Sequence, residues 1–275
     1  MSWIMSDEMI KLSPSAINTY FRSPRLFYYQ YVCRLKNPPN IHLYKGSFVH
    51  KVLEDLFAFP RFTEPQRFFD AQMNTWSPPQ AIIDHLDPGD NIEKHKLEAS
   101  KMLNIFARRF NDKIDMIMLE GKARDRSHAW NLIKPKLREH KIFDEERNIV
   151  GIIDSIETSF DETTYIIDYK TSKLYKNTVP NEYVRQVSIY AYLFSKEFGK
   201  LPNYAGINYL RYGETFLVPI TDAVIQQAKD DIDLVRKNSF SRDINDYPKG
   251  NDEFANRDIE YFETKYPQLS STTRS

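Results

Sequence analysis

The chain has 275 residues, with 38 Lys and Arg against 38 Asp and Glu, so its formal net charge is zero. That excludes a globally basic nucleic-acid binder and leaves room for a local basic channel. The single cysteine, Cys33, excludes an internal disulfide framework and any cysteine-built zinc or iron-sulfur site within one chain.

From the N-terminus, MSWIMSDEMI lacks a basic region followed by an apolar one, and no run approaches the roughly 18–20 apolar residues of a membrane span. A soluble, cytoplasmic protein without a membrane partner is the reading, with residues 1–275 as one domain. The segment from Ser13 to Tyr31 opens with Ser13 as N-cap and Pro14 at the first helical position, and a second Ser-Pro at 23 and 24 breaks it into two short helices. After the loop NPPN, a helix is predicted over Lys45 to Phe59, with Val49, Leu53 and Leu56 on one face and His50 beside them. A lone histidine there reads first as structural.

Residues 60–135 read as a helical insertion broken at SPPQ and DPGD. Within it, Ile92 to Leu119 carries Leu97, Met102, Leu103, Phe106, Phe110 and Ile114 at helical spacing. The opposite face carries Lys94, Lys96, Lys101, Arg108, Arg109 and Lys113, either a solvated face or a track for phosphates.

From Leu137 the pattern changes to strands: LREHKIF, GIIDSIETSF and TYIIDYKTS. A helix follows over Asn181 to Phe198, with Gln186 and Tyr190 one turn apart. Two more strands, Tyr204 to Tyr212 and Thr215 to Ile220, flank the turn residue Gly213. A helix capped by Thr221 runs to about Lys237, and residues 245–275 hold a short helix from Glu253 to Lys265 and a polar tail.

The second and third strands carry the chemistry. Each places an aspartate in an apolar run, where an ionised carboxylate costs several kcal/mol unless compensated. A hairpin turn centred near Asp161 sets Asp154 opposite Asp168, and like charges so placed repel unless a divalent cation joins them. Alternation puts Asp168 and Lys170 on one face, and Ile167 and Tyr169 on the other. Two carboxylates and an ammonium converge, which is either a metal site suited to phosphodiester hydrolysis or a solvated surface ion pair.

Four separated stretches, SPSAINTYFRSPRLFYYQY with KGSFVH, then GIID, DYK and QVSIY, resemble the PD-(D/E)XK nuclease superfamily in its RecB-like branch, which includes the CRISPR-associated adaptation nucleases. The resemblance implies an α/β, restriction-endonuclease-like core: a central mixed sheet of about five strands flanked by helices. It implies that His50, Asp154, Asp168 and the Tyr169 backbone carbonyl ligate Mg²⁺ or Mn²⁺. Lys170 then positions the attacking water, with Gln186 and Tyr190 organising the lysine and the phosphate. The implied activity is a metal-dependent deoxyribonuclease, an exonuclease of repair, recombination or replication. Its partners are DNA, single-stranded or at duplex ends, and a helicase or recombination protein. The alternative is a catalytically silent relative that only binds nucleic acid or acts as a scaffold. One departure stands out: the iron-sulfur cysteines of many relatives are missing, with Ser23-Pro24 in place of Cys-Pro and no cysteine from Tyr247 onward. The C-terminal segment then docks by packing, through Phe254, Ile259, Tyr261 and Phe262.

Overall fold

The computed structural model describes residues 9–173 and 179–269. Helix boundaries follow the caps. Ser13 accepts from the Ala16 N–H at 3.1 Å and starts α1 (Pro14–Arg22), and Ser23 closes it while capping α2 (Pro24–Phe27). Asn40 accepts from the N–H groups of His42 and Leu43, so α3 (Ile41–Leu56) begins four residues earlier than predicted: the loop asparagine is itself the cap.

The insertion holds α4 (Pro65–Met73), α5 (Gln80–Ile83), α6 (Ile92–Leu119) and α7 (Arg126–Ile133), the last two capped by Asn91 and Asp125. Next come β1 (Leu137–Asp144), β2 (Ile149–Thr158), β3 (Thr164–Lys170), α8 (Asn181–Phe198), β4 (Tyr204–Tyr209), β5 (Glu214–Pro219), α9 (Asp222–Asn238) and α10 (Glu253–Lys265).

Among the described residues the strands form one sheet in the order β1-β2-β3-β4-β5. All neighbours are antiparallel except β3 and β4, which are parallel because α8 carries the chain back across the sheet. The sheet separates two cores. On one face Ile142, Ile156, Ile166 and Ile207 pack with Val187, Leu193 and Ile232 from α8 and α9. On the other, Ile167, Tyr169 and Leu210 pack with Val49, Leu53, Phe110 and Trp130 from α3, α6 and α7. The insertion therefore supplies most of the second core.

Two predicted packing residues are not buried. Leu97 is 55% exposed, because the buried stripe of α6 runs through His95, Ala99 and Met102 instead. Phe254 is 69% exposed under the Arg257 guanidinium, while Ile259 and Phe262 are buried and Tyr261 packs beside them. That segment docks on α2: Phe262 meets Tyr29 with ring centroids 5.5 Å apart, Tyr247 meets Tyr28 at 5.1 Å, and Arg25 Nε donates to the Tyr247 carbonyl at 2.7 Å. Ser23 is fully buried as a helix cap. The polar end beyond residue 269 lies outside the described residues.

Candidate active site

The hairpin has the predicted register, pairing Ser155 with Ile167 and Ile156 with Ile166, and its ladder stops there. Asp154 forms no ladder pair with Asp168. Its Oδ2 instead accepts from the Tyr169 N–H at 2.7 Å, replacing the missing backbone partner and splaying β2 from β3. On the other side of β2, the register skips Glu139, whose backbone is left-handed with φ +43°. The inward-facing residues of β2 change phase across this gap, with Ile153 and Ile156 both buried three residues apart. Asp154 thus sits where the pleat is interrupted.

Asp168 and Lys170 share one side of β3, as alternation predicts, and Ile167 and Tyr169 pack on the other. Lys170 Nζ lies 2.8 Å from Asp168 Oδ2, donates to Gln186 Oε1 at 2.7 Å, and stands 4.7 Å above the centre of the Tyr183 ring. The Gln186 amide donates to Asp168 Oδ1 at 3.0 Å and to the Tyr190 hydroxyl at 3.1 Å. One glutamine side chain therefore fixes the lysine, the aspartate and the tyrosine together. Gly151 makes room for this corner, since a Cβ there lies 2.6 Å from Leu193 Cδ1 and 3.2 Å from the Tyr190 ring.

His50 reaches the same place from α3. Its Nε2 donates to the Tyr169 carbonyl at 2.9 Å and its Nδ1 lies 3.3 Å from Asp154 Oδ1. Donor atoms of His50, Asp154 and Glu139 all lie within 4.8 Å of one another; Asp168 stands outside that group, in the cluster with Lys170, Gln186 and Tyr190. The site is two half-sites joined through the Tyr169 peptide. Glu139 and Tyr183 were missed in the sequence. In LREHKIF a glutamate looks like any outward strand residue, and no spacing ties Tyr183 to Lys170.

Electrostatics follow burial. Burial raises the Asp168 carboxyl to about 6, against the lowering pull of Lys170 and with the Asp154 charge adding to it. For His50 burial pulls down, but the hydrogen bond and charge of Asp154, with Asp168 behind them, raise it to about 9. For Lys170 burial pulls down, but the charge and hydrogen bond of Asp168, with Tyr183 and Asp154 behind them, together raise it, and Glu139 moves upward through burial and the nearby Asp154.

This donor set fits a hard divalent cation: carboxylates, a peptide carbonyl and one imidazole. Asp168 Oδ2 is buried beside the Lys170 ammonium at 2.8 Å, and a carboxylate oxygen with one such neighbour keeps a lone pair for a cation. The 2.9 Å between His50 Nε2 and the Tyr169 oxygen also matches neighbouring ligands of an octahedral ion, which at bonds of about 2.0–2.1 Å stand about 2.9 Å apart. Four cluster-binding cysteines cannot come from a chain with one.

No curated protein matches the chain. Among solved structures, one described as a candidate exonuclease from Eubacterium rectale is similar at 11% identity and TM-score 0.45, covering 82% of this chain and 78% of that one. A second, SSO0001, is similar at 15% identity and TM-score 0.26, covering 70% and 86%. Both likenesses are distant. The family model of the PD-(D/E)XK nuclease superfamily matches residues 11–264, and the chain belongs to that superfamily.

Proposed function

We propose that the protein is a metal-dependent deoxyribonuclease of the RecB-like branch, an exonuclease that degrades DNA from its ends in repair, recombination or replication. The observation that carries this reading is the placement of Lys170, a mostly buried ammonium held by Asp168 and Gln186 at the edge of a cation-fitting cluster.

His50, Asp154, Asp168 and the Tyr169 carbonyl would hold Mg²⁺ or Mn²⁺, with Glu139 beside them. Bound there, the cation would supply Lewis acidity toward a phosphate oxygen and lower the pKa of the attacking water. Lys170 orients the attacking water and offsets charge developing on the phosphorus oxygens. Gln186 keeps the ammonium pointed at the reacting centre, and Tyr190 keeps Gln186 in place. The Tyr183 ring under Lys170 limits its freedom, so less order has to be imposed when substrate arrives. Lys101 and Arg108, exposed on α6 and without ion pairs among the described residues, give a phosphate backbone a track toward the site. A helicase or recombination protein presents the DNA end.

End-labelled linear and closed circular DNA, incubated with Mg²⁺ or Mn²⁺, test the reading: linear DNA is degraded and circular DNA survives. Asp168→Asn and Lys170→Ala each lower cleavage by about 10²–10³-fold or more while keeping a native circular-dichroism spectrum. Undiminished cleavage by either variant overturns the assignment.

A further inference from the structure

On the sheet face away from α8, a cleft opens between α6 and strands β3 to β5. It has two joined lobes of about 290 and 330 Å³ that share Lys113, Ile133, Glu157, Asn208 and Thr215. The first lobe is aromatic, walled by Phe57, Phe106, Phe110 and Tyr169 above Leu210. Phe106 lies parallel to Phe110 at 6.0 Å and edge-on to Tyr169 at 5.9 Å.

Two polar features converge on this apolar slot, whose lining also includes the carboxylates of Asp112 and Glu157. Arg109 and Lys113 stand one turn apart on α6 at its mouth, both exposed and without an ion pair among the described residues. Gly213, at φ +65° in the β4–β5 turn, leaves room for the Arg109 side chain: a Cβ there lies 3.2 Å from both Arg109 Cγ and Nε. Asn208 donates its amide hydrogen to Thr215 Oγ1 at 2.9 Å, leaving its Oδ1 buried without a donor.

Each feature narrows the ligand. A bare phosphate uses the two cations and ignores the aromatic slot. A lipid or apolar peptide side chain fills the slot and leaves Asn208 Oδ1 unsatisfied, at the desolvation cost that orphaned acceptors carry. A planar ring with an N–H edge and an anionic tail satisfies all three, with the ring among the aromatics, its N–H to Asn208 and its anion to Arg109 and Lys113.

We propose that this cleft is a nucleotide-binding pocket, separate from the scissile site, taking a base in the aromatic lobe and its 5′-phosphate at Arg109 and Lys113. Tyr169 belongs to both places. Its ring walls the pocket while its carbonyl accepts from His50 and its N–H donates to Asp154. A bound nucleotide therefore braces the residue that joins the two half-sites. Its effect on cleavage rests on the nuclease reading above; its binding does not. The source is a released mononucleotide or an unpaired nucleotide of the strand.

The test is a titration in EDTA, without metal or cleavage, following the fluorescence of the protein, whose Trp130 packs 5.4 Å from Phe110. Added dAMP and dTMP give a saturable change, while deoxyribose 5-phosphate and deoxyadenosine each bind about tenfold or more weakly. Arg109→Ala with Lys113→Ala, on the exposed face of α6, loses about tenfold or more, and Asn208→Leu loses affinity while leaving deoxyribose 5-phosphate unaffected. No saturation, or equal binding by the double variant, overturns the proposal. A 5′-phosphorylated single strand binding more tightly than dTMP identifies the strand as the source; equal binding identifies the free product. Absent binding leaves the nuclease reading standing, and absent cleavage leaves the pocket standing.

Discussion

Glu139 is the residue whose cost is easiest to state. A left-handed conformation costs a non-glycine residue on the order of 1–2 kcal/mol, and Glu139 adopts one while its carboxyl is pressed toward the Asp154 charge. Without metal, Glu139→Gln removes the repulsion and raises the melting temperature measured in EDTA; with metal, the same change weakens Mn²⁺ binding by about tenfold or more in calorimetry. Unchanged Mn²⁺ affinity in this variant contradicts a role for Glu139 beside the ion. His50 predicts a pH dependence. Its pKa is raised from 6.5 to about 9, so its stabilising contribution is complete below pH 6.5 and disappears as pH rises through 9. Asp168, raised from 3.8 to about 6, acts in the same sense in a lower window, with stability falling as pH climbs from 4 to 6. Urea unfolding in EDTA at pH 6.5 and 9.5 shows the upper loss, and Asp154→Asn flattens it. Metal competes with these protons, so its affinity rises over the same range.

Elements carry most of what could be read beforehand. Ser13 and Thr221 cap their helices where side-chain oxygens meet free N–H groups, and five predicted strands became five strands, because caps and alternation are local physics. The shared face of Asp168 and Lys170 and the one-turn spacing of Gln186 and Tyr190 follow from periods of two and 3.6, whereas the meeting of the two pairs was implied by the family resemblance alone. Glu139 and the arrival of His50 at Tyr169 depend on where α3 crosses the sheet, which no local period encodes. Lys45 is another such case: it read as a helix start and is 1% exposed, its ammonium paired with Glu98 and 3.2 Å from His95 Nδ1. Glu98 also accepts from Arg211 at 2.7 Å, and Arg211 donates to the Thr171 carbonyl at 3.1 Å, tying α3 and α6 to the end of β3. Lys45→Ala costs about 3 kcal/mol in urea unfolding, because it strands part of a buried ion pair. Gly151→Ala costs about 1–3 kcal/mol through overpacking and lowers cleavage as well, since it pushes on Tyr190.

At the scale of the molecule, two hydrophobic cores meet at one sheet, and the candidate site lies where both press on β3. His50 comes from the side of α3 and α6, and Gln186 and Tyr190 from the side of α8, so loosening either core pulls one half-site from the other. The docking of the C-terminal segment on α2 also sets an order in time. Tyr28 and Tyr29 are buried against Tyr247 and Phe262, more than two hundred residues later in the chain. During synthesis Tyr28 and Tyr29 lack this part of their cover until residue 262 has left the ribosome. Contacts of such separation close slowly, so the nascent chain carries a sticky N-terminal patch for nearly its whole length. A chain halted near residue 245 leaves that patch without its cover and aggregates.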